Sequence, residues 1–567
     1  MNPRWLRSQI VVAAAMLVVA CAPGPPPARE AAPAPGSPAA PARRSVVIAF
    51  PVEPPTVEPS MGAGLGNREM SSMTSAFLAI LGPGDEPLPY LAEELPSIEK
   101  GSWRLLPDGQ METTYRLRPQ ATWHDGHRLT ADDFVFGRQL HLDPELPIRF
   151  AQLDRRIREM RAVDDTTLYI LWREPFFRAG AVTGPYLAPL PRHMLGDMSA
   201  NDRDTYINGP HWREQFLGAG PYKIERWEPG VELELRAHDG FVLGRPPIDR
   251  VVLKFIADVN VVLANLLSGA VDVGISGQLS LAQTAALEQS GWGGRTEYWS
   301  GIPRFLEFQT RDWGDLRSEV LDVRVRRAAA HAVDRQGIVD GLYGGRARVA
   351  NFWLWPEDPA YPAADRAVVK YDYDPGRATA LLREAGWTRQ PDGAVRNPAG
   401  QGIHWPILNE SGEFEQLEAA VLGDQLKAIG ITTEIRRMTF AEQRDGEFRS
   451  KFPALAYNRR NMDYDGMVWV KDRLSLPENR WAGSNRSGYV NPVVDDLWPK
   501  MIGTVDRAQR EALLIEAVQA IAQDAVIVPT HFQVDAMAYA DGLTGIREPA
   551  LGTPGGSVWN TWEWRWR

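Results

Sequence analysis

Along nearly the whole chain, short β-rich runs alternate with helices that open on a capping residue and close on glycine, and that order points to layered α/β folds. Val46-Val47-Ile48-Ala49-Phe50 reads as a buried strand. Thr114 to Arg118 alternates polar and apolar residues, and Trp123-His124-Asp125-Gly126 follows as a turn in which Gly126 supplies a positive φ. Thr130-Ala131-Asp132-Asp133 is a capping box that opens a helix through Phe134, Val135 and Phe136. Asp258 caps a helix carrying Val262, Leu263, Leu266 and Leu267; Gly269 ends it, and Val271-Asp272-Val273 begins a strand. The later half repeats the pattern. Asp322 precedes a helix with Val325, Ala328, Ala329 and Val333. Asp374-Pro375 opens one with Ala378, Leu381, Leu382 and Ala385, which stops before Gly386. Leu417, Val421, Leu426 and Ile429 line a further helix that ends at Gly430, and a strand follows at Ile431–Ile435. Asp506 opens the last long helix, through Leu513, Leu514, Val518 and Ile521.

The N-terminus stands outside this pattern. Arg4 and Arg7 precede an apolar run from Ile10 to Ala20, and the chain's one cysteine, Cys21, comes next. Such a run is about half the length a membrane-spanning helix needs, so it reads as an export signal. Val18-Val19-Ala20-Cys21 resembles the lipobox of bacterial lipoproteins, in which cleavage precedes the cysteine and the thiol is lipidated. Residues 1–20 are therefore expected to be a signal peptide and Cys21 a lipidation site. Residues 21–44 are rich in Pro and Ala, cannot bury a core, and read as an extended tether reaching on the order of 70 Å.

Composition narrows the function. The chain has 567 residues, 62 Lys+Arg against 72 Asp+Glu, and a net charge of −10, which argues against a dedicated nucleic-acid binder. A single cysteine excludes an internal disulfide framework and Cys-rich metal sites. His124-Asp125-Gly126-His127 carries two potential metal ligands but sits on a hairpin turn, and no His-Glu-x-x-His pair occurs. Gly62-Ala63-Gly64-Leu65-Gly66-Asn67 lacks the third glycine of a dinucleotide loop. The chain has neither a phosphate-binding Gly-x-x-x-x-Gly-Lys loop nor a Gly-x-Ser-x-Gly nucleophile elbow. No cofactor, bound metal or catalytic residue is expected.

Eight stretches taken in order, among them AFPVEPPTVEPS at Ala49–Ser60, YRLRPQATWHDGHRLTADDFVF at Tyr115–Phe136, GAGPYKIERWEPG at Gly218–Gly230, LDVRVRRAAAHAVDRQGIVDGLYGG at Leu321–Gly345 and GYVNPVVDDL at Gly488–Leu497, resemble the extracellular solute-binding proteins of family 5. These serve dipeptide, oligopeptide and nickel-type ABC importers. The resemblance implies an α/β periplasmic-binding-protein-like fold of type II: two lobes, a hinge of two chain crossings, and an extra subdomain inserted in the N-terminal lobe. By analogy, lobe I spans 45–300 plus 530–567 with 77–215 as the insert, and lobe II spans 301–529. The crossings fall near Trp299–Arg304 and Pro529–Gln533, and they would let nearly rigid lobes close by rotation. The implied function is an ABC-importer receptor that captures a peptide or peptide-like solute and delivers it to the permease subunits. It would be a monomer in the periplasmic space of the cell envelope, held to the membrane only by its lipid. A lipid-anchored hydrolase and a binding protein that presents its ligand to a sensor are the alternatives.

Of the 20 tryptophans, most are expected in the core; Trp562, Trp564 and Trp566 read as one face of a strand. Trp299, Phe352, Trp353, Trp355, Trp405 and Trp481 lie in segments that the resemblance places near the cleft. The departure from the family is at Asn458-Arg459-Arg460, where peptide-binding relatives carry an aromatic stretch and an Asp for the ligand amine. Either the register shifts and one of Asp463 and Asp465 keeps that role, or Arg459 and Arg460 bind an acidic group through the planar guanidinium fork, or the two arginines are surface residues on a loop. On the second alternative the ligand is held by a carboxylate.

Overall fold

The computed structural model describes residues 44–567 apart from 62–65, 147–151, 276–277, 312–317, 411, 461–467 and 550–555. The expectations for the signal, Cys21, the tether, Asp463 and Asp465 lie outside the described residues.

An eleven-stranded sheet runs through the described chain. Two long strands, Arg295–Phe308 and Ile527–Tyr539, occupy its middle and pair antiparallel. On one side of them lie Leu455–Arg459, His404–Asn409 and Thr432–Arg437. On the other lie Val273–Gly274, Ser45–Phe50, Arg250–Phe255, Glu232–Ala237 and Tyr222–Glu228. The short strand Arg348–Val349 pairs beside Phe532 and His531. Each flank contains parallel pairs, Ser45–Phe50 with Arg250–Phe255 and His404–Asn409 with Thr432–Arg437, so each needs helical crossovers.

The helices that link the strands begin and end where local chemistry dictates. The Asp258 side chain accepts the Asn260 N–H ahead of helix Val259–Ser268, and Gly269 closes it at φ 73°. Asp322 and Asp374 cap Val323–Ala332 and Pro375–Glu384 in the same way. Between the first strand and Tyr222 lies a separate four-stranded antiparallel sheet, ordered Trp103–Leu105, Met111–Arg116, Thr167–Trp172, Ile157–Asp164. Helix Ala131–His141 packs on it; Asp133 accepts the Thr130 N–H at 2.8 Å, which completes the capping box. Trp172 is fully buried there and donates to Thr113 Oγ1 at 2.9 Å. Its burial therefore leaves no polar atom unsatisfied.

Two readings of the sequence require correction. The C-terminal tryptophans do not share a strand face. Thr561–Glu563 is a 3₁₀ turn, and only Arg565–Trp566 pairs, with Leu543–Thr544. The Asn560 amide donates to Gly545 O and Glu563 Oε2, which fastens the turn. Leu417 is half exposed at 50%, whereas Glu418 beside it is buried at 1%. The inward face of helix Glu413–Ala428 runs through Glu418, Ala419, Leu422 and Leu426, because a buried ion pair holds the carboxylate inside.

Candidate functional site

The register between the two central strands slips twice, between Ser300 and Pro303 and between Arg304 and Phe305. A slip breaks the ladder locally and turns the strand, which re-aims the side chains beyond it. Past the slip, Arg304, Leu306 and Phe308 face the helices of the second half, while Phe305 and Glu307 face the opposite side.

On the first face lies a closed polar network. Arg304 is 2% exposed, and its Nη2 stands 2.8 Å from Glu418 Oε2 in a close ion pair that lacks hydrogen-bond alignment. Tyr343 donates to Glu418 Oε1 at 2.7 Å, His531 Nε2 lies 3.1 Å from the same oxygen, and the Arg304 guanidinium stacks 4.6 Å over Tyr457. Burial works against the Glu418 charge, yet Arg304 and His531 hold its carboxyl below the usual range. Burial likewise keeps His531 below the ordinary histidine value.

On the second face Glu307 is fully buried and accepts from Asn458 Nδ2 at 2.7 Å and from Trp469 Nε1 at 3.1 Å. Arg460, whose side chain is 11% exposed, pairs with the same carboxylate at 3.2 Å and donates to Ser484 O. Trp469 lies between Trp353, 5.1 Å away, and Phe305, 5.7 Å away. Three more arginines gather here. Arg311 donates to Ser475 O and Arg486 O. Arg449 reaches Gln443 O at 3.4 Å. Arg486 has a buried Nε with no acceptor. Burial, reinforced by Arg460 and Arg449, pushes the Arg486 guanidinium down to about 9. Arg311 is pushed down to about 10 by burial, against the pull of Glu307.

Of the residues singled out in the sequence, Trp353, Asn458 and Arg460 meet around Glu307 and Trp469. Phe352 is buried and stacks on Tyr361 at 4.9 Å. Trp355 donates to Gly301 O at 2.8 Å and so anchors its segment to the strand crossing. Arg459 is exposed on the other face, pairing with Glu410 at 3.3 Å and donating to Gln533 Oε1 at 3.2 Å. Near it, burial pushes Asp535 up to about 6, with Arg459 opposing. Trp299 packs half-buried on the first half's core. Trp405 is fully buried inside the second half, 5.6 Å from Phe308 and donating to Glu319. Trp481 lies under Lys451 Nζ at 5.2 Å. Glu307, Trp469 and the further arginines went unread. Glu307 alone left a trace, as a lone acid within the apolar run Phe305–Phe308.

Among the described residues, one group has metal-compatible spacing: Asp125, His127 and His193, all exposed. Asp125 Oδ2 lies 3.0 Å from His127 Nδ1 and 2.7 Å from His193 Nε2, and the two rings stack at 4.1 Å. The trio brackets the Gly126 turn on the inserted sheet's side of the chain.

Two α/β halves that share a pair of long central strands define a two-lobed α/β fold. The sequence profile of the bacterial extracellular solute-binding proteins, family 5 Middle, matches residues 87–473, and the chain belongs to that family. The oligopeptide-binding protein AppA of Bacillus subtilis (strain 168) is 25% identical over 458 residues, which is 78% of this chain and 79% of AppA. Protein XP55 of Streptomyces lividans is 26% identical over 485 residues, 85% of this chain and 82% of that protein. NikZ from Campylobacter jejuni, solved in complex with Ni(L-His), aligns with a TM-score of 0.74 at 22% identity over 92% of this chain and 99% of its own. Relatives of this kind are solute-binding proteins of ABC importers rather than enzymes.

Proposed function

We propose that this chain captures a peptide or peptide-like solute between its two lobes and hands it to the permease of an ABC importer, without catalysing a reaction. The observation that carries the reading is the pair of central strands, common to both halves of the sheet and interrupted by register slips where the lobes would pivot. On this reading lobe I is 45–300 plus 530–567 with 77–215 inserted, lobe II is 301–529, and Trp299–Arg304 with Pro529–Gln533 form the hinge. Opening would break contacts between the inserted subdomain and the second half: the Phe177 N–H donates to Ile502 O at 3.1 Å, and Arg510 stacks 4.6 Å over Phe177. We place the mature protein as a monomer in the periplasmic space, anchored by lipid on Cys21 and spaced from the membrane by residues 21–44. That AppA is an oligopeptide-binding protein and that NikZ was solved with Ni(L-His) support a cleft for zwitterionic solutes.

The test is thermal unfolding of ligand-stripped protein against peptides of two to nine residues and metal–amino-acid chelates. A ligand at about one hundred times its Kd should stabilise the protein by roughly 2.7 kcal/mol. No stabilisation by any member of either set refutes the reading.

A further inference from the structure

We propose that Arg449, Arg460 and Arg486, gathered around Glu307, form an anion subsite that takes a carboxylate or phosphate group of the captured solute. The inference rests on the solute-binding reading and names the charge of the group bound.

The first argument is charge count. Among the described residues, the three guanidinium groups act on one another and share one fully buried carboxylate, Glu307. Glu410 also acts on Arg449, but it is held at 3.3 Å by Arg459. Like charges crowded in a half-buried place repel one another, and a further negative charge among them relieves that repulsion. The second argument is hydrogen bonding. Arg460 Nε and Arg486 Nε are both buried and without an acceptor. A buried N–H left unpaired is costly, and an oxyanion offers lone pairs to several donors at once. The depressed pKa of Arg486 agrees, since burial and its two neighbours disfavour its charge when no anion is present. The third argument is position. Arg460 continues the strand that pairs with Arg295–Phe308 just past the register slip, and Glu307 beside it is fixed from behind by buried Trp469, which donates to it at 3.1 Å and packs on Trp353. The carboxylate that faces the arginines is therefore held in place by the core.

The experiment measures melting temperature and calorimetric affinity for inorganic phosphate, for succinate, and for one tripeptide as its free acid and its C-terminal amide, at constant ionic strength. The variants are Arg486→Gln, Arg486→Lys and Arg449→Gln, with exposed Arg437→Gln as control. Wild type should show a saturable rise in melting temperature with at least one anion. Stronger binding of phosphate or of succinate identifies which group the site prefers. Arg486→Gln should weaken that anion at least tenfold while melting as high as wild type without ligand, because it removes one of several crowded like charges. Arg486→Lys should recover part of the affinity, and Arg437→Gln should match wild type. If Arg486→Gln does not fold, Arg449→Gln carries the same expectation. Wild type that responds to neither anion and binds acid and amide peptides equally overturns the subsite but leaves the solute-binding reading standing. An anion response unchanged in the Arg486 and Arg449 variants overturns it as well.

Discussion

Glu418→Gln is the substitution that should expose most clearly what holds the centre of this molecule. The carboxylate is 1% exposed, and it balances Arg304, itself 2% exposed, across 2.8 Å. Glutamine keeps the shape and can still accept from Tyr343 through its carbonyl. It removes the charge, however, and turns either an amide N–H or a neutral oxygen toward Arg304. The guanidinium would then be buried without a counter-charge, since Glu415 stands farther off at 3.9 Å. Removing one partner of a buried pair typically costs about 3–5 kcal/mol. Urea unfolding followed by tryptophan fluorescence should therefore show Glu418→Gln less stable than wild type by about that amount. Replacing both partners, Arg304→Met with Glu418→Leu, leaves no stranded charge and should recover most of the loss. A cost below about 1 kcal/mol for Glu418→Gln, or a double variant worse than the single one, would refute the reasoning.

Acid should weaken the fold through His124. Its Nδ1 faces the Gly218 N–H at 3.3 Å and its Nε2 faces Gly220 O at 3.1 Å, so the ring is neutral; burial, with His238 beside it, lowers its pKa to about 3. Because the unfolded state takes up the proton first, stability falls as pH drops below about 6.5, by roughly 2 kcal/mol at pH 5. The stability gap between wild type and His124→Gln should narrow by that amount between pH 7 and 5 in denaturant titrations, and a constant gap contradicts it. Gly218→Ala would set a Cβ 1.9 Å from Thr74 O and should cost at least about 1–3 kcal/mol, whereas Gly293→Ala meets open space and should lie within about 0.5 kcal/mol of wild type. Trp469→Phe removes one donor to buried Glu307 and should cost about 1–3 kcal/mol in the same assay.

What the sequence made legible was local. Asp258 and Gly269 bracket a helix because their side chain and φ act within a few residues, and the Thr130–Asp133 capping box is likewise self-contained. Pairings such as Phe305 with Asn458 or Trp299 with Asp535 join residues far apart in the chain, and no local rule encodes them. The candidate site suffered for the same reason. Arg460 could be singled out, but its partner Glu307 arrives from another strand, and Arg449 and Arg486 from separate loops and helices. Trp405 and Trp353 look alike in sequence; one fills the interior of the second half and the other stands beside Glu307's indole partner. Leu417 misled because a buried glutamate occupied the inward register that hydrophobic periodicity assigned to leucine.

Capture of a solute between closing lobes is tested most directly by small-angle scattering on ligand-stripped protein, before and after a peptide that calorimetry shows to bind. Closure by hinge rotation predicts an expanded profile without ligand and a smaller radius of gyration at saturation, with the compact curve matching the described structure. Identical profiles in the two states, with binding established, would contradict it.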